Sequence, residues 1–110
     1  MSNLFTPLTV GDITLPNRII MAPLTRTRAA PGRVPYGLNA EYYAQRADAG
    51  LIVTEATSVT PQGVGYPDTP GLWSDEILKA WMAIHLASVL KFCITYNLYR
   101  LKMLIIFKFH

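Results

Sequence analysis

The sequence predicts an α/β protein in which parallel strands alternate with helices. Two apolar runs, residues 18–22 and 51–56, are continuous rather than alternating, which is typical of strands buried on both faces. One helical pattern lies between them and another follows, so we expect a right-handed crossover between parallel strands. Long loops follow both strands, whereas a single glycine joins the first helix to the second strand. That asymmetry is typical of a β/α barrel with functional loops at the carboxyl ends of its strands, although a doubly wound sheet gives the same local pattern.

The first elements are a small hairpin and a buried strand. Gly11-Asp12 lies between the β-prone stretches 8–10 and 13–15, which predicts a hairpin with its turn at those two residues. The strand at 18–22 ends at a proline. We expect residues 25–35 to form a loop, because they contain a Pro-Gly pair and a second proline.

Residues 38–49 carry the strongest helical pattern of the chain. Asn39 is expected to cap this helix and Gly50 to end it. One stripe recurs at helical spacing and consists of Leu38, Tyr42, Gln45 and Ala49.

The second strand, residues 51–56, leads into a long loop at 57–73. Ser74 and the two acids after it fit the cap and first turn of a further helix, which reaches Trp81.

The composition changes abruptly after Trp81. Residues 1–81 have a net charge of −1, whereas residues 82–110 contain four bases and no acid. All glycines and prolines lie at or before Gly71, and 20 of the last 29 residues are apolar. Three interpretations of this apolar basic tail stay open: a membrane segment, a buried helix with a strand within 98–109, or translated sequence foreign to the fold. Its longest stretch without Lys or Arg, 80–90, is short for a membrane span, so a membrane role is the weakest of them.

Several function classes are disfavoured by the residue counts. One cysteine, Cys93, excludes an intrachain disulfide, and with only two histidines we expect no metal site. Four scattered tail charges give little reason to expect nucleic-acid binding. The start of the chain lacks a basic region followed by an apolar run, so we expect no signal peptide and a cytoplasmic location. Gly63-Val64-Gly65 lacks the third glycine and the immediate helix of a dinucleotide fingerprint.

Four motifs together resemble the old yellow enzyme family of FMN-dependent ene reductases. They are MAPLTR at 21–26, AEYYAQRA at 40–47, AGLIVTEAT at 49–57 and PQGVGY at 61–66. The stretches LFTPL at 4–8, LPNR at 15–18 and TPGLWSDE at 69–76 are also similar to that family. The resemblance covers residues 1–81 and stops at the change of composition.

The resemblance implies the N-terminal portion of a (β/α)8 TIM barrel, which as a whole takes about 250 residues. Residues 1–81 would then supply the hairpin and the first two β/α units of an FMN-binding barrel. Residues 82–110 would form an unrelated tail, and the chain would be truncated relative to the family.

The resemblance also implies where a flavin would bind. In such enzymes the backbone of Ala22, Pro23, Leu24 and Thr25 lies against FMN, and the threonine hydroxyl hydrogen-bonds the ring. Ala56 would add a backbone contact, and Tyr66 would line the substrate pocket. From the residues alone, each of these also fits an ordinary loop or packing role. The loop arginines Arg26 and Arg28 fit solvated side chains better than a phosphate site, and Asp48 and Glu55 fit structural roles better than catalytic ones.

The implied activity is transfer of hydride from NAD(P)H through FMN to the activated C=C bond of an α,β-unsaturated carbonyl compound. The family's carbonyl-binding histidine pair and its proton-donating tyrosine lie beyond the matching region. We therefore expect no catalytic residue within this chain and no activity from it alone. Two alternatives are a non-enzymatic short variant that pairs with a full-length homologue, and a membrane-associated peptide.

Overall fold

The computed structural model describes residues 3–89 and 95–96, and its first element is the predicted hairpin. Strands β1 (Leu8–Val10) and β2 (Ile13–Leu15) pair antiparallel, with Leu8 opposite Leu15. Gly11 has a φ of 57°, a left-handed value that the turn requires and that glycine adopts without a steric penalty. Leu15 is fully buried, so the last residue of the hairpin anchors it to the rest of the fold.

Three short strands form a parallel sheet. β3 (Ile20–Met21) pairs with β4 (Leu51–Val53), which pairs on its other side with β5 (Thr95–Tyr96). The parallel pairing of β3 and β4, with a helix between them, confirms the predicted βαβ unit. Both strands are shorter than the runs that predicted them, because flanking backbone groups bond to side chains instead. The N–H of Glu55, for example, donates to the Tyr43 hydroxyl at 3.0 Å.

Of the two strands predicted to be buried, only β4 contains a buried residue, and its other two residues are half-buried. Ile52 of β4 is inaccessible to solvent, whereas Ile20 of β3 is 49 % exposed. β3 lies at the edge of the sheet that the described residues form, with a neighbour on one side only. The prediction of burial on both faces therefore fails for β3 within this part of the chain.

Helix α1 (Gly37–Ala44) covers only the first part of the helix predicted at 38–49. The N–H of Tyr36 donates to the side-chain oxygen of Asn39 at 3.1 Å, so Asn39 caps from within the first turn instead of preceding the helix. Past the last turn, the N–H of Arg46 donates three residues back instead of four. This tighter winding ends the helix early, because the chain must reverse within a few residues to enter β4.

The position of Gly50 predicted a cap for α1, but Gly50 does not cap that helix. It instead allows two strands to start close together. A Cβ atom at Gly50 would collide with the carbonyl oxygen of Asn17. The Asn17 side chain completes the contact, since its amide donates to Asp48 O at 2.9 Å and its oxygen accepts the Gly50 N–H at 2.8 Å. The glycine is thus required by the close approach of Asn17, which precedes β3, to the start of β4.

Helix α2 (Asp75–Val89) begins where the sequence predicted. Ser74 Oγ accepts the N–H of Ile77 at 3.3 Å, and two acids occupy the first turn. The helix passes Trp81 without a break, so the boundary predicted between 81 and 82 falls inside it. The strand predicted within 98–109 lies outside the described residues. No helix in the described part of the chain is long and apolar enough to span a membrane.

The core lies between the sheet and the two helices. Tyr43 and Ala47, in and just after α1, pack with Ile52 of β4 and Ile84 of α2, and all four are buried. Trp81 of α2 covers this cluster, its ring centroid 6.2 Å from that of Tyr43. Both helices therefore cover one side of β4, and the loops after β3 and β4 are left at the carboxyl edge of the sheet.

Candidate functional site

The predicted flavin-contacting residues follow two adjacent parallel strands. Because Met21 lies opposite Ile52, the chain leaves β3 and β4 at the same edge of the sheet. Residues 22–25 are exposed there, and Ala56 is half-buried on the neighbouring segment. Neither Leu24 nor Thr25 makes a hydrogen bond within the described part of the chain, so their polar groups are available to a ligand.

The loop after β3 and the loop after β4 are joined by hydrogen bonds further along the chain than residues 22–25 and Ala56. Ala29 N–H donates to Asp68 O at 2.9 Å, and Gly71 N–H donates to Arg33 O at 2.9 Å. The Arg33 guanidinium also donates through Nη1 to Tyr66 O at 2.7 Å and to both the carbonyl and hydroxyl oxygens of Thr69 at 3.2 Å. Arg33 thereby fixes the backbone of Tyr66, whose side chain is 65 % exposed.

Three residues of these loops have left-handed backbone conformations without being glycine. They are Thr27 with φ 52°, Arg33 with φ 65° and Asp68 with φ 48°. Such conformations cost about 1–2 kcal/mol each and persist where surrounding contacts determine the backbone. Arg33 and Asp68 both take part in the bonds that join the loops, which accounts for the conformations of these two.

A buried carboxylate lies where the loops begin. Glu55 lies just past the end of β4, after Thr54, and is 1 % exposed. Its Oε1 accepts the Asn39 amide at 3.3 Å and the Tyr43 hydroxyl at 3.2 Å, both from α1. Its Oε2 accepts the backbone N–H of Arg26 at 3.3 Å. One side chain thus links α1, the loop after β3 and the end of β4.

Burial has the largest effect on the pKa of the Glu55 carboxyl group. Loss of hydration raises the pKa of Glu55 above its ordinary value, and the hydrogen bonds from Arg26, Asn39 and Tyr43 oppose that rise. Burial, together with the neighbouring carboxylate, raises the pKa of Tyr43 above its ordinary value, so its hydroxyl is protonated at physiological pH. Tyr43 is therefore a hydrogen-bond donor to Glu55.

Arg26 and Arg28 border a cleft of about 260 Å³ beside α1. The Arg26 guanidinium lies 4.5 Å from the centroid of the Tyr42 ring, and that of Arg46 lies 4.0 Å from it. These distances are in the range of cation–π contacts. Arg26 is thus engaged with Tyr42, whereas Arg28 is exposed, as the sequence predicted for a solvated loop arginine.

The site predicted from the sequence omitted the residues that organise it. Arg33 was not selected, and Glu55 was expected to be structural, without an assigned partner. Glu55 carries one signal in the sequence: it is an acid near the end of a mostly apolar run and directly precedes Ala56. No group of three or more His, Cys, Asp and Glu side chains that could hold a metal forms among residues 3–89 and 95–96.

Comparison with known proteins identifies relatives of this fold and sequence. The model of the NADH:flavin oxidoreductase / NADH oxidase family matches residues 3–88. An NADP-dependent oxidoreductase of Aspergillus flavus, lnbE, is 50 % identical over 86 residues, which are 76 % of this chain and 23 % of the relative. Rice (Oryza sativa subsp. japonica) 12-oxophytodienoate reductase 1 is 44 % identical over 82 residues, 74 % of this chain and 21 % of that protein.

Solved structures give the same result. Morphinone reductase in complex with tetrahydroNAD superposes with a TM-score of 0.83 at 46 % identity, over 88 % of this chain and 26 % of that structure. The old yellow enzyme homologue from Zymomonas mobilis superposes with a TM-score of 0.82 at 47 % identity, over 87 % of this chain and 27 % of that structure.

These matches settle the choice of architecture in favour of the barrel. The neighbours are TIM barrels, and the chain spans about a quarter of the length of the relatives it matches. The resemblance seen in the motifs is thereby confirmed. The chain belongs to the NADH:flavin oxidoreductase / NADH oxidase family, whose members similar to it include the old yellow enzymes.

Proposed function

We propose that this chain provides part of the FMN site of an ene reductase. The reaction is reduction of the activated C=C bond of an α,β-unsaturated carbonyl compound, with NAD(P)H as the reductant. The observation that carries the proposal is the exposure of residues 22–25 beside Ala56, at the carboxyl edge of two parallel strands, in a chain of this flavin oxidoreductase family. Functional residues of TIM barrels lie at that edge.

The residues present there fit a flavin ring. The Thr25 hydroxyl is exposed and unused by the described residues, so it can hydrogen-bond a ring heteroatom. Leu24 is 55 % exposed and offers apolar surface, and Ala56 is small enough for close approach of its backbone. When bound, FMN would supply the hydride chemistry, and the protein would supply orientation and electrostatics.

Tyr66 is the residue of this chain that we assign to the substrate. Its ring is exposed, and its carbonyl oxygen is held by Arg33, so the loop presents the ring from a fixed backbone. We assign no catalytic residue to the chain. Polarisation of the substrate carbonyl requires hydrogen-bond donors aimed at its oxygen, and the family's donors lie beyond the matching motifs. The chain alone is therefore expected to be inactive.

Flavin binding and turnover are tested separately on the purified 110-residue chain. Quenching of FMN fluorescence gives the Kd, and oxidation of NADPH or NADH in the presence of 2-cyclohexenone gives turnover. Thr25→Val removes one hydrogen bond of about 1 kcal/mol, so we expect a Kd about fivefold higher. Thr14→Val in β2 is the matched control and leaves the Kd unchanged. Equal Kd values for both variants and the wild type would refute the role of Thr25, and enone turnover by the chain alone would refute its inactivity.

The free edge of β3 supports a second candidate, a non-enzymatic variant that pairs with a full-length homologue. Among the described residues β3 has a strand neighbour on one side only, and Ile19, Ile20 and Phe5 nearby are 40 %, 49 % and 76 % exposed. Unpaired strand edges of this kind accept further strands. Native co-purification of the tagged chain with a full-length family member supports this candidate, and recovery of the chain free of it at equal expression excludes it.

A further inference from the structure

The Glu55 carboxylate lies between the two segments assigned to FMN. Glu55 directly precedes Ala56, and the N–H that its Oε2 accepts belongs to Arg26, which directly follows Thr25. The carboxylate is thus one residue removed from a proposed flavin contact on each of the two segments.

We propose that Glu55 is a positioning residue, which sets the separation between the segments Ala22–Thr25 and Ala56 by holding the Arg26 N–H on a carboxylate anchored to α1. This inference rests on the proposed flavin site. It goes further because it assigns the geometry of that site to a side chain that does not touch the flavin.

The hydrogen bonds that anchor Glu55 to α1 allow only one assignment of donors and acceptors. The Glu55 N–H donates to the Tyr43 hydroxyl oxygen at 3.0 Å, so the hydroxyl proton is left for Glu55 Oε1 at 3.2 Å. The Asn39 side-chain oxygen accepts the Tyr36 N–H, so its NH2 group is directed to the same carboxylate oxygen. With Oε1 fixed by two donors, the position of Oε2 is fixed as well, and with it the Arg26 N–H.

Packing alone does not account for an acid at this place. Burying a carboxylate is costly unless several donors compensate it, and an apolar side chain of similar volume would fill the space without that penalty. The donors come from two different elements, α1 and the loop after β3. The charged and titratable groups that act on the carboxylate are the Arg26 side chain from the loop and Tyr43 from α1. What the acid provides is a bond between elements, which an apolar residue could not supply.

The test compares two conservative variants of the full 110-residue chain. Glu55→Gln keeps the shape and an oxygen for Tyr43, but it places an NH2 group against the Arg26 N–H. Tyr43→Phe keeps both partners of the Glu55–Arg26 bond but removes one of the two donors that anchor Oε1. Glu41→Gln, at an exposed position of α1, is the control for the loss of one negative charge.

Two readouts are needed, the exchange rate of the Arg26 amide proton and the Kd for FMN. In Glu55→Gln we expect the Arg26 amide to exchange at least tenfold faster and the Kd to rise about tenfold, which corresponds to about 1.4 kcal/mol. Tyr43→Phe removes one of the two donors to Oε1, so we expect both quantities to rise, but by less than in Glu55→Gln. In Glu41→Gln we expect both quantities to stay within about twofold of the wild type. The proposal is overturned if Glu55→Gln leaves the Arg26 amide unchanged, or if Glu41→Gln raises the Kd as much as Glu55→Gln does.

The experiment distinguishes a failure of the proposed flavin site from a failure of the role assigned to Glu55. If the wild-type chain does not bind FMN, the proposed site fails, whereas the exchange of the Arg26 amide still decides whether Glu55 holds it. If Glu55→Gln does not fold, a pH titration of the wild type replaces it. The chemical shift of the Arg26 amide proton must then titrate with the same midpoint as the Glu55 carboxyl carbon. An amide shift that is independent of that midpoint overturns the proposal.

Discussion

Removal of the Arg33 guanidinium should release the loop that carries Tyr66. Nη1 donates to Tyr66 O at 2.7 Å and to two oxygens of Thr69 at 3.2 Å. One nitrogen has two protons, so these three contacts amount to about two hydrogen bonds. Bonds to charged donors contribute about 1.5–3 kcal/mol each, and partial exposure places these at or below the lower end. We therefore expect Arg33→Ala to lower the free energy of unfolding by about 2–3 kcal/mol.

The backbone strain at Arg33 allows a second variant, Arg33→Gly, to be compared with Arg33→Ala. Arg33 has φ 65°, which costs any residue with a Cβ atom about 1–2 kcal/mol. Arg33→Gly loses the same hydrogen bonds as Arg33→Ala but is free of that strain. The glycine variant should therefore be about 1 kcal/mol more stable than the alanine variant, the reverse of what is usual in regular structure. Urea unfolding of the three proteins, followed by tryptophan fluorescence, measures both differences.

The matched control is Arg28→Ala in the same loop. Arg28 is exposed and donates only to Thr27 O, at 3.3 Å, so its loss should change stability by less than 0.5 kcal/mol. Hydrogen exchange locates the effect of Arg33→Ala, which should accelerate the amides of residues 66–69 and not those of α1. If Arg33→Ala costs no more than Arg28→Ala, or if the amides of residues 66–69 keep their wild-type protection, the guanidinium does not hold this loop.

Three further predictions concern stability. Gly50→Ala drives a methyl group into Asn17 O and should cost about 2 kcal/mol or more in urea unfolding, whereas Gly65→Ala, with open space around it, should stay within about 0.5 kcal/mol. Ser74→Ala removes the cap of α2 and should cost about 1 kcal/mol in the same assay. Because the pKa of Glu55 is raised in the folded state, folding takes up a proton, and its contribution to stability falls as pH rises from about 4.5 through the folded pKa. Wild type should lose stability relative to Glu55→Gln over that window, by at most about 1.4 kcal/mol per pH unit, and a pH-independent difference would contradict this.

Local signals in the sequence were sufficient for some elements and not for others. The hairpin was predicted to the residue, because its turn depends only on a glycine that accepts φ 57°. The start of α2 followed from Ser74, again a local contact. The end of α1 was wrong by five residues because Gly50 was interpreted as a helix cap. Its actual requirement is space for Asn17, which is 33 residues away in the chain.

The candidate site shows the same division between local and distant interactions. Residues 22–25, Ala56 and Tyr66 were selected through family motifs, and their assignment to FMN and substrate stays a prediction. The bonds that organise the site span 12 to 36 residues, such as Glu55 to Arg26 and Arg33 to Thr69. No hydrophobic periodicity or helix-cap pattern in a sequence indicates pairs that lie so far apart in the chain. They become visible only when the βαβ crossover brings the two loops to one edge of the sheet.

The placement of these bonds explains how a segment can be exposed and still have a defined geometry. Leu24 and Thr25 make no hydrogen bond within the described part of the chain, so nothing in their own backbone fixes them. Directly after Thr25, the Arg26 N–H is held by Glu55, and before Leu24 the β3 ladder ends at Met21, with Ala22 and Pro23 between them. Further along, Arg33 joins the loop to the one that follows β4. A segment held at both ends by its neighbours keeps its polar groups free for a ligand and avoids most of the entropy loss of ordering them on binding. Arg33 and Glu55 are therefore the residues at which substitution should disturb the site without removing any group assigned to the flavin.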